Sequence, residues 1–547
     1  WYVDQVVGND TTGTGASGSS FASISAALLW SGDGHTINVG PGTYYERLEI
    51  THAISLLGTD GPATTIISGN DPEHQNGTVR LIHLNNGGPD GQIDGETLID
   101  GFTLRDNFGG GIHTYGIGTD VTFSNLIIEN NRVGNYGGGI QLSTTQVSGQ
   151  FHINDVMISE NIGARAGGGI GCYRGGAVTM TNCTISNNRT ENGHVPQIQG
   201  GAGIYIYEGG STTLTLNNVN IIGNVIEAES VSGVGAGIWN EDYSYGSSIV
   251  MNGGTIEGNI NNSAAMLGSA IYSRGSVTLQ NNVIITGNSS LGSVLYLTGN
   301  NSEFNFTDVQ IYENTGSKVI NSSNSPTWNF TNVIIRDNTL TEGPVIVVDE
   351  GTGSPGSVFE RLQITGHDFG AFYTERVDGE MTFNHCIFAD NNLSGSDDYD
   401  AIYAVDISGE DAIVITNSIL YTPGGSEIEV ILGNINSGVF LYSDINGGQG
   451  AVQIDDGASL TAYANNIDAD PQFVAPENGD YNLVASSPCI NSGDPNSPFD
   501  PDGTTADMGA YYYYNDYTGP WYVDQVVGND TTGTGASGSS SFTSISA

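Results

Sequence analysis

Lysine is almost missing from this sequence: Lys318 stands alone, and Lys and Arg together number 12 against 59 Asp and Glu. The formal charge of −47 repels nucleic acid and anionic membrane surfaces, so both are excluded as partners. Such a surface attracts divalent cations or a cationic surface, and it keeps the chain soluble. Charged residues of either sign make up only 13%, well under the usual share. Cysteine occurs four times, at Cys172, Cys183, Cys386 and Cys489, with no metal-ligand spacing. Cys183 and Cys386 fall at buried-type positions of matching runs and read as small core hydrophobes. A Cys172–Cys183 bridge stays open, since spacing alone decides nothing. No apolar run approaches the length of a membrane span, and no signal peptide is visible; the opening at Trp1 reads as a fragment or a mature segment. Glycine is plentiful, 80 residues, but without the collagen triplet.

What is present is a repeat. Val121–Leu142 (VTFSNLIIENNRVGNYGGGIQL) has close variants from Phe151, Val178, Leu214, Val277, Phe304, Trp328 and Met381. The Asn closing each run falls at Asn107, Asn131, Asn161, Asn188, Asn224, Asn259, Asn288, Asn314, Asn338 and Asn391, with His367 in the one gap. Spacings that vary from 24 to 36 residues suit constant strands joined by variable loops. Within a run, Val121, Phe123, Leu126 and Ile128 alternate with polar residues, a period of two that means strand with one buried face. Such a strand cannot bury that face alone, so each coil stacks on the next, and the Asn side chains bond up the stack as a ladder. The fold class expected is all-β: a parallel β-helix with a short N-terminal capping helix.

Residues 1–70 read as the entry cap and first coils, 71–467 as the body, and 468–520 as a closing segment with linker. In the cap, Phe21–Trp30 has helical spacing at Phe21, Ile24 and Leu28, with Ser20 as the expected N-cap. The body carries GGGI returns at Gly109–Ile112, Gly137–Ile140 and Gly167–Ile170, loosening later to GAGI and GSAI; glycine there permits a tight corner or close packing. Residues 521–547 are the surprise, because Trp521–Ser540 repeats Trp1–Ser20 without a change. This predicts a second module starting at Trp521, docked on the first by the stiff aromatic linker Tyr511–Pro520. The expected module interface is Trp1, Tyr2, Phe21, Ile24, Tyr511, Tyr512, Tyr513 and Tyr514, with Trp521, Tyr522, Phe542 and Ile545 on the copy.

The order YVD…GND…F.SI..AL…PGTYYE, carried by Tyr2, Asp4, Gly8–Asp10, Phe21, Ile24, Pro41–Tyr44 and Glu46, resembles the opening of secreted right-handed parallel β-helix repeat proteins of the pectate-lyase-like superfold. Asp468–Phe473, Asp480–Pro495 and Asp500–Tyr511 resemble their closing stretch. The resemblance implies right-handed winding and an extracellular or cell-surface location, bacterial or archaeal. The NTD, GHG and RIK signatures of the superfold's pectin hydrolases are absent. The nearest fragments are Gly366-His-Asp368, Asp397–Asp398 and Asp455–Asp456, and Asp397-Asp-Tyr-Asp400 reads as solvated loop. A lyase would need a cationic base, and Lys318, Arg165, Arg174 and Arg189 show no carboxylate cluster beside them.

The expected function is therefore non-catalytic: a module of a tandem array building a fibre, stalk or surface layer by end-to-end contacts with itself. The alternative is a carbohydrate-active enzyme, or a glycan-binding adhesin using Tyr205, Tyr207, Trp239, Tyr243 and Tyr245 against sugar rings. The same aromatics read more readily as stacking between coils. Calcium is the one cofactor to consider, at Asp494, Asp500, Asp502 and Asp507, where Gly503 supplies a turn; turn capping by the same carboxylates is the competing reading.

Overall fold

One coil shows why the chain winds. In Val121–Ser124, Val121 and Phe123 are buried while Thr122 and Ser124 face outward. Asn125 then takes φ 48°, a left-handed conformation that a short polar side chain tolerates. The turn brings Leu126 and Ile128, flanking and within the strand Ile127–Glu129, into the same core. Asn130, at φ 57°, makes a second left-handed corner, and the buried Asn131 follows it. The same left-handed step precedes Asn161, Asn188, Asn224, Asn259, Asn288 and Asn314, supplied by Glu160, Asn187, Gly223, Gly258, Gly287 and Glu313.

The computed structural model describes residues 1–514 apart from 71–78, 86–92, 94, 117–119, 145–149, 174–175, 192–198, 208–211, 228–232, 243–245, 264–266, 300–301, 325, 352–355, 378, 408–411, 435–436 and 456. It divides into residues 1–326 with 338–342, and residues 327–337 with 343–547. In the first unit one parallel ladder joins Thr97, Val121, Phe151, Val178, Leu214, Ile249, Val277 and Phe304. A second joins Leu48, Ile82, Ile112, Ile140, Ile170, Ile204, Ile238, Ile271, Leu295 and Ile320. A third, of two-residue strands, runs from Arg132–Val133 to Thr339–Leu340. In the second unit Phe330, Phe359, Phe383, Ile415, Phe440 and Tyr463 form one ladder. Ile346, Phe372, Ile402, Val430 and Val452 form the other. Each buried Val, Ile or Phe in these columns contributes about 1.5–3 kcal/mol, and repetition along the column makes the core.

In five of the returns the first glycine has a specific job, whereas in Gly109–Ile112 the positive φ falls on the second, Gly110. Gly137, Gly167, Gly201, Gly235 and Gly268 all lie between φ 54° and 65°. A Cβ at Gly167 would sit 2.5 Å from the Ile170 carbonyl oxygen. That explains why GGGI, GAGI and GSAI vary everywhere except at this residue and the closing Ile.

The capping helix is shorter than its spacing predicts, Ile24–Trp30, and its N-cap is Ser23, whose side chain accepts from the Ala26 amide at 3.1 Å. Phe21 is instead extended, bridging Val3 in parallel. The Glu46 carboxylate accepts from the Ile24 and Ser25 amides, at 2.8 Å each, so a distant side chain supplies the anion at the helix start. Among the described residues no helix is long and apolar enough to cross a membrane.

Candidate functional site

Asn188 shows how a mid-stack corner asparagine is bonded. Asn188 is buried, and its Oδ1 accepts from the backbone amide and the Nδ2 of Asn161, at 3.0 Å each. Its own Nδ2 donates to the Ile158 carbonyl at 2.9 Å and to Asn224 Oδ1 at 3.0 Å. The backbone amide of each corner Asn from Asn107 to Asn314 likewise donates to the Oδ1 of the next, ending at Asn338. In the second unit His367 Nδ1 meets Asn391 Oδ1 at 3.1 Å. Burial holds the His367 pKa down at about 4, so a neutral imidazole occupies the corner.

The aromatic candidates gather on one outward column. Tyr205, Trp239, Tyr272 and Tyr296 are register partners on neighbouring strands, with ring centroids 4.5 Å apart for Tyr205–Trp239 and 5.3 Å for Tyr272–Tyr296. Gly171 holds the same register position one strand earlier, and Tyr136 fills the space, 5.5 Å from Tyr205. Tyr207 stacks on Tyr173 at 4.5 Å, and the Arg165 guanidinium lies 6.0 Å from the Tyr136 ring. Tyr205 and Trp239 are only 2% and 4% exposed. Their faces are taken by other rings, so the column works as inter-coil stacking before it works as a sugar platform. Tyr243 and Tyr245, like Arg174 and Asp456, lie outside the described residues.

The remaining polar candidates are dispersed. Arg189 pairs with Glu227 at 3.2 Å, and Lys318 contributes its carbonyl to the Val294 amide. Asp397 Oδ2 accepts from the Gly370 amide at 2.8 Å, and Asp455 Oδ2 accepts from Gln453 at 2.7 Å. Asp494, Asp500, Asp502 and Asp507 hold turns: they accept the amides of Asn496, Asp507, Thr504 and Asn491, and Asp507 also takes that of Tyr513. Burial, with the charge of Asp507 beside it, raises Asp500 to about 7. Among the described residues no three His, Cys, Asp or Glu side chains are grouped to hold a metal ion. All four cysteines are free and buried, and burial lifts the Cys172 thiol to about 12, which leaves it unreactive.

Sequence reasoning missed a groove of about 670 Å3 in the second unit, lined by Asp337, Gly366, Asp390, Glu477, Tyr481 and neighbours. Asp337 and Asp390 occupy the same corner two coils apart, with Gly366 between them; all three have positive φ. The Tyr481 hydroxyl donates to Asp390 Oδ2 at 2.8 Å, and burial raises the Asp390 pKa. No sequence signal pointed here, because Glu477 and Tyr481 come from the closing segment, far along the chain.

Residues 8–252 match a family model described as the right handed beta helix region. This chain is a right-handed parallel β-helix. Among solved structures, pectate lyase Pel9A is similar at 11% identity and a TM-score of 0.29, covering 94% of this chain and 97% of that one. A pectin methylesterase mutant in complex with a hexasaccharide is similar at 15% identity and a TM-score of 0.27, covering 58% and 89%. No curated protein matches the sequence.

At the start of the β-helix, Phe21 and Ile24 are buried inside the cap, so they hold it together and are not presented to another module. Trp1 packs against Phe21 and His35, while Tyr2 is 45% exposed. The closing segment does not finish on the last coil. It folds back over Ile387, Ala389 and Ile419, burying Tyr481, Leu483, Cys489, Met508 and Ala510 against them. Its far end reaches the strand Ser357–Thr365: the Tyr511 hydroxyl bonds Gln363, and Arg361 donates to the Ala510 carbonyl at 2.8 Å. The Arg361 guanidinium lies 3.9 Å from the Tyr512 ring, a cation–π contact, and Tyr513 packs on the same apolar cluster. Trp521, Tyr522, Phe542 and Ile545 lie outside the described residues.

Proposed function

We propose that this β-helix is a non-catalytic module of a tandem extracellular array that builds a fibre, stalk or surface layer through contacts between modules. One observation carries the reading: Trp521–Ser540 repeats Trp1–Ser20 residue for residue. The first copy is built into a cap, with Tyr2–Val3 paired to Asn38–Val39 and Asp10 Oδ1 accepting the Ala22 and Ser23 amides. A cap covers a strand edge that would otherwise pair with other chains, and its copy marks where another solenoid starts. Electron microscopy of the native protein is expected to show repeating rods of uniform module size. Isolated single particles would remove the reading.

A second reading has a separate observation behind it. Asp390, raised by burial, and the exposed Asp337 with its ion pair to Arg336 are two carboxyl groups of unequal character on one groove. Backbone positions two coils apart are separated by about 9.6 Å, near the wide spacing of inverting glycoside hydrolases, which leave room for a water. On this reading Asp390 protonates a glycosidic oxygen and Asp337 activates the water. Incubation with neutral and uronic oligosaccharides, read as reducing-end release, tests it. Release abolished by Asp390→Asn supports hydrolysis, and silence on every glycan removes it.

A further inference from the structure

The closing segment is anchored well before the last coil. Arg361 and Gln363, which anchor Ala510–Tyr512, belong to Ser357–Thr365. Four further strands follow that one in the same ladder: Met381–Asn384, Ile413–Thr416, Gly438–Leu441 and Leu460–Ala464. At about 4.8 Å per strand, Tyr512 lies about 19 Å short of the terminal coil. Between Tyr514 and Trp521 stand only residues 515–520, a reach of about 25 Å when fully stretched. A relaxed linker of that length starts the second cap on the flank, and only a taut one carries it around to the end.

The flank also offers something to bind. Phe499 and Tyr514, on the closing segment, are 67% and 57% exposed. On the cap, Val6 and Val7 are 85% and 75% exposed, and the copy repeats them as Val526 and Val527. Tyr514 at one end of the short tether and the valine pair just beyond the other can bury each other at little entropic cost. We infer that the cap copy at Trp521–Ser540 docks on the flank of the second unit beside Ser357–Thr365, so that successive modules are laterally offset and not coaxial. The inference rests on the tandem reading and specifies which surface of one copy receives the next.

Carboxyl-selective dihydrazide cross-linking of the full chain at high dilution, read by peptide mass spectrometry, tests it. Asp524 and Asp530 on the copy are expected to link to Glu360 or Asp502 on the flank. Links to Asp455 or Asp468 at the terminal coil would overturn the inference, as would links to neither group. Arg361→Ala, which frees the Tyr512 anchor, is expected to lose the flank links while the far-ultraviolet β signal stays unchanged; links that persist in this variant count against the inference. This readout is intramolecular, so it can fail while imaging still shows an array, and the array can be absent while the flank links form.

Discussion

Replacing Asn188 by alanine isolates what one rung of the corner ladder contributes. The backbone amide of the substituted residue would still donate to Asn224 Oδ1, and Asn161 Nδ2 would keep the Ile128 carbonyl at 2.8 Å. One buried group is left without its partner, the Asn161 amide, while the Ile158 carbonyl loses its side-chain donor but stays in the ladder to Thr184–Ser186. An unpaired buried group costs about 1–3 kcal/mol, so the substitution is expected to cost about 1–3 kcal/mol. Because coils of a solenoid can open separately, the sharpest assay is native-state hydrogen exchange. The Asn161 amide should exchange roughly 5–160-fold faster, the same energy expressed as an opening constant. Thr213→Ala, exposed on a neighbouring coil, is the control and should leave that amide unchanged. Asn188→Asp adds a sign test. An ionised carboxylate still accepts from Asn161 but turns a second oxygen on the Ile158 carbonyl and Asn224 Oδ1, so it should be worse than alanine at neutral pH and recover on acidification. An Asn161 rate within threefold of the parent in Asn188→Ala would refute the reasoning.

Two further outcomes follow from the packing. Glu429 is 1% exposed, and burial raises its pKa from 4.5 to about 8. The folded state therefore holds a proton that the unfolded chain releases, so stability is full below pH 4.5 and is lost as pH rises toward 8. One pKa unit corresponds to about 1.4 kcal/mol, which bounds the loss near ~5 kcal/mol. Glu429→Gln should flatten the urea midpoint between pH 5 and 9, and an unchanged slope would sink the assignment. Gly167→Ala places a Cβ 2.5 Å from the Ile170 oxygen at φ 62°, and should cost at least about 2 kcal/mol through left-handed strain and overpacking. Gly134→Ala, with open space around it, should be neutral in the same thermal melt.

The winding itself was legible because the evidence for it is periodic. Val121, Phe123, Leu126 and Ile128 announce a buried face, and the recurring Asn announces the corner. The helix start was misjudged by three residues for a non-local reason: Phe21 is held extended against Val3, so Ser23 and not Ser20 is the N-cap, with the distant Glu46 carboxylate on the Ile24 and Ser25 amides. The exit was misread for the same reason. Tyr511–Tyr514 read in sequence as a stiff linker docking the next module, whereas Gln363 and Arg361, about 150 positions earlier, hold Tyr511, Tyr512 and the Ala510 carbonyl. Of the aromatic column only Tyr205 and Trp239 were legible in sequence; Tyr272 and Tyr296 join them by register, and Tyr136 reaches Tyr205 because Gly171 leaves the gap. Asp337 and Asp390 looked like ordinary corner residues until Pro476–Asn478 and Tyr481 closed a groove over them.

The corner ladder also shows what the fold requires once asparagine gives out. In every rung from Asn107 to Asn314 a buried backbone amide donates to a side-chain oxygen of the following coil. After His367 and Asn391 the next corner residue is Thr422, and the Asn391 amide turns to its Oγ1 at 3.4 Å. The Thr422 amide then has no corner Asn ahead of it and takes Glu429 Oε1 at 3.0 Å. Glu429 holds the register position that Ala371, Ala401 and Ala451 hold on neighbouring strands, so a long acidic side chain stands where they carry a methyl group and reaches the corner. The demand is for an acceptor at each turn, and residue identity is secondary to it. Asparagine serves best because it accepts and donates without charge. A carboxyl can replace it only by staying protonated, which ties the stability of these last coils to pH in a way the Asn-capped coils escape.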